Sequence, residues 1–355
     1  PLVDNLLGQY PKYKILITTT TITGSVAVKN HYKNKIIHCF FPFDSKLIIK
    51  SFLRKIQPEI CILMETEIWP NLIHTLNKKN IPVCLINARL SEKSFNKYQK
   101  IFPKLVSETL RKLTLICSQN TFSSTRFIKL GANEESLINT GSLKFDSDDS
   151  IDVDLANSLS QIVGDRLVSV FASTRDGEER LIIESYLKHK DQMNCLLVII
   201  PRHPERFDEA AKIAKGFGLN VNRRSEAGNW SEDTDILVGD SMGEMMAYYS
   251  ISDIAFIGGS LTDNGCQNML EAASLSKPII FGPSVYNFEE ISKQLLDNDA
   301  SIQVSNADEL MQTISQLLSS KSSRDELGAN ARKTFEHNQG AASNILSALK
   351  LYIKN

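Results

Sequence analysis

The chain has 355 residues, with 40 Lys+Arg against 41 Asp+Glu and a formal net charge of −1. Hydrophobic residues make up 42% and charged residues 23%, an ordinary globular composition that excludes a disordered or fibrous protein. No apolar run approaches the roughly 18 residues of a membrane helix. The longest is CLLVII, from Cys195 to Ile200, so the sequence predicts neither a spanning segment nor a signal peptide.

Short apolar runs alternate with longer amphipathic stretches. Strands are predicted at Lys14–Thr19, Lys35–Phe41, Ile60–Met64, Val83–Asn87 and Leu113–Cys117. Each run is continuous rather than alternating, as in a parallel sheet buried on both faces. Amphipathic stretches such as Asp44–Ile56 and Trp69–Lys79 fall between them, and this βαβα rhythm predicts a doubly wound α/β domain. A polar break, Phe145–Asp154 (FDSDDSIDVD), reads as an interdomain linker. The rhythm then restarts with strands at Leu167–Ala172, Cys195–Ile200, Asp235–Val238, Asp253–Ile257 and Pro278–Phe281, and Ser305–Lys354 reads as helical throughout. Two Rossmann-like domains are expected, 1–145 and 146–355, with a cleft between the carboxyl ends of their sheets, where open α/β sheets bind ligands.

The near-zero net charge is a sum of opposites. Residues 1–145 carry 21 Lys+Arg against 9 Asp+Glu, and residues 146–355 carry 19 against 32. Such asymmetry suggests that the first half meets an anionic partner, against the competing reading of merely uneven surface charge. The six cysteines form no CxxC pair, and four lie inside apolar runs, the pattern of core thiols in a reducing compartment. The chain opens on Pro1 rather than Met, as expected of a fragment or a processed product.

The segments after the strands are unusually polar. GGSLTDNGCQNMLE (Gly258–Glu271) joins a strand end to a helix predicted to open near Cys266–Asn268. A helix N-terminus there suits a phosphate, Asn268 offers a donor, and Glu271 is placed to accept from ribose hydroxyls. The spacing is not GxGxxG, which disfavours a nicotinamide cofactor. PRHPERF (Pro201–Phe207) sets Arg202, His203 and Arg206 just past a strand, where cations neutralise phosphate or carboxylate. Glu65 and Glu67 lie past the third strand, suited to orienting hydroxyls or to acid–base work, and equally to charging a helix N-terminus. Arg89, past the fourth strand, is expected either to pair with one of them or to face a ligand.

Taken in order, TTTTITGS, FFPFD, ETEIWPNLI, NARLSEKS, TGSLKFD, ASTRDGEE, PRHPERF, DSMGEM and GGSLTDNGCQNMLEAASLSKPIIFGP cover nearly the whole chain. In this set the chain resembles the 3-deoxy-D-manno-octulosonic acid (Kdo) transferases of lipopolysaccharide synthesis, which are GT-B glycosyltransferases. The resemblance implies an inverting, metal-independent transfer of Kdo from CMP-Kdo to lipid IV-A. It implies a donor site of Ser173, Thr174, Arg202, His203, Met242, Glu244, Asn268 and Glu271 in the acidic second domain. Acceptor binding falls to Thr20, Thr21, Ser25, Glu65 and Arg89 in the basic first domain, at the cytoplasmic face of the inner membrane of a Gram-negative bacterium. No cofactor is implied, CMP-Kdo being a substrate.

Members of the family begin with an anchoring helix, a strand and a turn bearing a catalytic Glu. Pro1–Gly8 matches the rest of the helix after that turn, so the base is expected upstream of Pro1, with Glu65 and Glu67 as auxiliary carboxylates and the chain as written nearly inactive. Two alternatives stand beside this reading. One is a nucleotide-sugar epimerase of the same build, and the other is a non-catalytic protein that binds CMP and anionic lipid.

Overall fold

A computed structural model describes residues 2–146, 150–226 and 233–353. The chain divides into two compact units, Pro1–Ser147 together with Asn338–Asn355, and Asp148–His337. Pro1 and positions 147–149 of the expected linker lie outside the described residues.

The first unit holds β1 (Leu16–Thr19) paired in parallel with β2 (Ile37–Phe40). It also holds β3 (Cys61–Met64), β4 (Val83–Ala88), β5 (Leu115–Ser118) and β6 (Leu137–Asn139), parallel in the order β3-β4-β5-β6. Every residue of β4 is buried. Its side chains alternate between two cores, as a period of two demands. Val83 and Leu85 pack with Ile49, Leu53, Leu72, Ile73 and Leu76 from the helices Lys46–Ile56 and Pro70–Asn77. Cys84 and Ile86 pack in one cluster with Leu2 and Leu6 and with Ile345, Leu346 and Leu349. Burial pushes the thiols of Cys61, Cys84 and Cys117 up to about 12, which makes them core groups rather than nucleophiles.

That second core departs from the expected domain limits. The helix Ala341–Leu349 buries its apolar face in the first unit, although the sequence reading ran the second domain to residue 355. Asp146, expected in the linker, fixes this helix: its carboxylate accepts from Gly340 N at 2.7 Å and Ala342 N at 2.5 Å.

The second unit is one parallel sheet of seven strands: β7 (Leu167–Thr174), β8 (Cys195–Pro201), β9 (Val221–Arg223), β10 (Ile236–Val238), β11 (Ile254–Ile257), β12 (Ile279–Phe281) and β13 (Ser301–Gln303). The order is β13-β12-β11-β7-β8-β10-β9, so the chain leaves β7 first toward β8 and returns on its other side at β11. This is a topological switch point, where doubly wound sheets open a crevice beyond the strands' carboxyl ends. The ten predicted strands are present, trimmed by a residue or two at several ends. β6, β9 and β13, three residues each, were not predicted.

Candidate functional site

In the second unit a pocket of about 400 Å³ opens beyond the carboxyl ends of β7, β8, β10 and β11. Four loops build it. Ser173 comes from the end of β7, Ile200, Pro201 and Arg202 from β8, Ser241 to Met245 from the loop after β10, and Gln267, Asn268 and Glu271 from the segment after β11. Tyr248 and Phe288 complete the wall.

The loops come this close because the backbone permits it at two unusual places. Ser173 sits at φ +56°, a left-handed conformation that a residue with a Cβ adopts at a cost and that clusters at functional sites. Beside it, Gly258 has no room for a side chain. A Cβ there would lie 2.6 Å from both the Ser173 carbonyl oxygen and Thr174 Cα. The segments after β7 and β11 therefore touch backbone to backbone, which only glycine allows.

A buried carboxylate fastens them. Glu178 is 0% exposed, and its Oε2 accepts from Gly259 N at 2.6 Å and Arg175 N at 2.8 Å while Oε1 accepts from Leu261 N at 2.9 Å. Burial pushes its carboxyl above the usual range, and the three N–H groups pull it back. The neighbouring Glu179, also fully buried, accepts from Thr174 Oγ1 at 2.9 Å and from Arg206 Nη2 at 2.9 Å.

Charge in the pocket is mixed. Glu271 is half-buried. Burial raises its carboxyl, while the amide of Asn268, donating to Oε1 at 3.0 Å, and the nearby Arg202 oppose the rise. Asn268 Oδ1 in turn accepts from Leu270 N at 3.1 Å. The helix accordingly opens at Leu270, later than the expected Cys266–Asn268, and spans only Leu270–Ser274. The helix end anticipated from sequence thus lies two to four residues later in the chain. Glu244 receives a hydrogen bond from the Ser241 hydroxyl and lies 3.3 Å from Arg224 Nε. Arg202 is exposed and makes no ion pair among the described residues, which leaves a cation available to an anionic ligand.

Of the donor residues expected from sequence, Ser173, Arg202, Met242, Glu244, Asn268 and Glu271 meet in this pocket. Thr174 and His203 do not line it. Thr174 is withdrawn into the core by its bond to Glu179, and the His203 ring is engaged with Arg175. Tyr248, Phe288, Ser241 and the staple Glu178 escaped the sequence reading. Tyr248 looks like an ordinary core aromatic, and Glu178 like a solvated acid in the first turn of a helix.

In the first unit, Thr20, Thr21, Glu65 and Arg89 each follow the carboxyl end of a strand. Thr20 and Thr21 are exposed past β1, and Thr21 Oγ1 caps the next helix by accepting from Gly24 N at 3.1 Å. Ser25, by contrast, is buried within that helix, so its hydroxyl does not face an acceptor here. Glu65 and Glu67 are exposed past β3, Glu65 at φ +57° and Glu67 accepting from Trp69 Nε1 at 3.2 Å. Arg89 forms no ion pair with either among the described residues. Asp44, the last residue of FFPFD, accepts from Asn71 N at 3.0 Å and Leu72 N at 2.9 Å. It thus caps the helix that follows ETEIW from 27 and 28 residues away.

Solved structures resemble the chain across its length. The UDP-GlcNAc 2-epimerase from Neisseria meningitidis is 15% identical and covers 99% of this chain and 95% of that one, at a TM-score of 0.64. A glycosyltransferase from Rickettsia africae is 14% identical, covers 99% of this chain and 91% of that one, and gives a TM-score of 0.62. At such identities the likeness is one of fold. The glycosyl transferases group 1 model matches residues 182–334, and the architecture is that of the GT-B glycosyltransferases. The model of the 3-deoxy-D-manno-octulosonic-acid transferases matches residues 1–147. The 3-deoxy-D-manno-octulosonic acid transferase of Haemophilus influenzae is 39% identical over 359 residues, spanning 100% of this chain and 84% of that one. The chain belongs to the 3-deoxy-D-manno-octulosonic acid (Kdo) transferase family of glycosyltransferases. The epimerase alternative rests on fold alone and is not favoured.

Proposed function

We propose that the chain binds CMP-Kdo in the pocket of its second unit and transfers Kdo to lipid IV-A in lipopolysaccharide synthesis. One observation carries this reading beyond family membership: six residues assigned to CMP from four separate loops line a single pocket. Glu271 takes the ribose hydroxyls, with Asn268 orienting its carboxylate. Arg202 faces the phosphate, whose negative charge grows as the bond to the sugar breaks. An acceptor hydroxyl, its proton passing to a general base, attacks the anomeric carbon from the opposite side as CMP leaves, so transfer inverts that centre in one displacement, without a metal ion. Glu65 and Glu67 are auxiliary carboxylates for orienting the acceptor. The basic first unit meets the phosphates of lipid IV-A at the cytoplasmic face of the inner membrane of a Gram-negative bacterium.

Calorimetric titration tests the donor half. CMP is expected to bind more tightly than UMP, and Glu271→Ala to weaken CMP by about 1–3 kcal/mol through loss of a hydrogen bond to a charged group. A preference for UMP, or a wild-type chain that ignores CMP, would sink the donor assignment. For the acceptor half, binding to vesicles carrying lipid IV-A should weaken as salt rises, since exposed charges are screened beyond roughly 8–10 Å at physiological ionic strength. Association indifferent to salt would detach the basic unit from the acceptor.

A further inference from the structure

The arginines around the donor pocket are neutralised with two exceptions. Arg206 pairs with Glu179, Asp176 and Glu209, Arg223 with Asp208 and Asp240, and Arg224 with Glu244. Arg202 and Arg175 make no ion pair among the described residues. Arg202 already has a ligand charge to answer, the phosphate. The Arg175 guanidinium rests instead on a neutral acceptor, its Nη1 lying 2.6 Å from His203 Nε2. An acceptor at Nε2 requires the imidazole to carry its proton on Nδ1, so this contact orients the guanidinium without cancelling its charge.

Arg175 also stands next to the pocket. A Cβ built on Gly259 would lie 3.3 Å from Arg175 Cγ and 3.1 Å from the side-chain amide of Gln267, a residue of the pocket wall. Gly259 thus keeps the arginine stem and the Gln267 amide side by side. The Arg175 backbone is itself fixed through its N–H to Glu178.

A CMP-activated sugar acid brings two anions to the site, the phosphate and the carboxylate of the sugar. We infer that Arg175, oriented by His203, receives the carboxylate of the donor sugar and selects an acidic sugar over a neutral one. The inference rests on the donor reading above and adds to it the residue that recognises the sugar. A guanidinium fork matches a carboxylate with two parallel hydrogen bonds, which an ammonium does not reproduce. His203 is then a positioning residue, which accounts for its absence from the pocket wall.

Titrating CMP and CMP-Kdo in parallel separates the outcomes, because CMP lacks the sugar. Arg175→Ala is expected to bind CMP like the wild type, which also reports a folded pocket, and to bind CMP-Kdo about ten- to a hundredfold more weakly. Arg175→Lys should recover part of that loss, and His203→Gln should show a smaller loss confined to CMP-Kdo. Equal losses for both ligands would reduce Arg175 to a structural role and overturn the inference, as would no loss for either. A wild-type chain that fails to bind CMP would overturn the donor reading itself.

Discussion

Glu178→Ala is expected to lower stability by about 3–5 kcal/mol and to weaken CMP binding at the same time. The side chain is fully buried, and its two oxygens accept three backbone N–H groups from two loops, those of Arg175, Gly259 and Leu261. Alanine leaves all three donors without a partner, and each buried orphan costs about 1–3 kcal/mol. Removing a desolvated charge returns part of that sum, which keeps the estimate below the simple total. Glu178→Gln should cost less. Its carbonyl oxygen can serve Gly259 and Arg175, but its amide nitrogen then faces the Leu261 N–H. Urea denaturation of the three proteins gives the order wild type, Gln, Ala, and an alanine variant within about 1 kcal/mol of wild type would refute the staple. The loss of CMP affinity follows because the stapled loops carry Ser173 and Gln267 into the pocket.

The second large effect belongs to Arg206. Its guanidinium, with the side chain 13% exposed, holds Glu179 Oε2 at 2.9 Å, Asp176 Oδ1 at 2.7 Å and Glu209 Oε2 at 3.1 Å. Asp176 and Glu209 are exposed and contribute little, whereas Glu179 is buried and depends on this cation. Arg206→Met should therefore destabilise by about 3–5 kcal/mol, the cost of stranding a buried charge. The double variant Arg206→Met with Glu179→Gln is expected to regain most of that loss, since the charge then has no need of a partner. A double-mutant cycle by denaturation reads the coupling directly, and additive losses would show that the pair does not act as one.

Much of this architecture is legible in the sequence because buried strands announce themselves as unbroken apolar runs. VCLIN and CLLVII are such runs, and both lie within central strands. The strands Leu137–Asn139, Val221–Arg223 and Ser301–Gln303 each carry polar residues and are less buried, whereas the equally short Ile236–Val238 and Ile279–Phe281 are wholly apolar and buried and do carry that signal. The donor loops were legible because each follows a strand, and parallel strands deliver all such segments to one edge. What contiguous residues do not reveal is which distant groups return upon them. Glu178 and Glu179 open the helical run EERLIIESYLKH and look solvated, yet the loop after β11 arrives from 81 and 83 residues away to bury the first of them. The late start of the helix at Leu270 has a local cause, the Asn268 side chain taking the Leu270 N–H, in a residue that reads equally well as a helical donor. The terminal helix was misassigned because an apolar stripe does not state which sheet it will cover.

That terminal helix has a consequence for the order in which the protein is made. The second unit, Asp148–His337, is continuous in sequence and has its whole core once residue 337 has left the ribosome. The first unit is begun earlier, yet the core around Cys84 and Ile86 lacks Ile345, Leu346 and Leu349 until the whole second unit has been made. The half made first is thus the half finished last. At roughly 5–20 residues per second, the nearly two hundred residues between Ser147 and Asn338 take on the order of ten seconds or more to emerge, during which that apolar face waits uncovered. Nascent chains halted before Ala341 should then expose the first unit to protease while leaving the second protected.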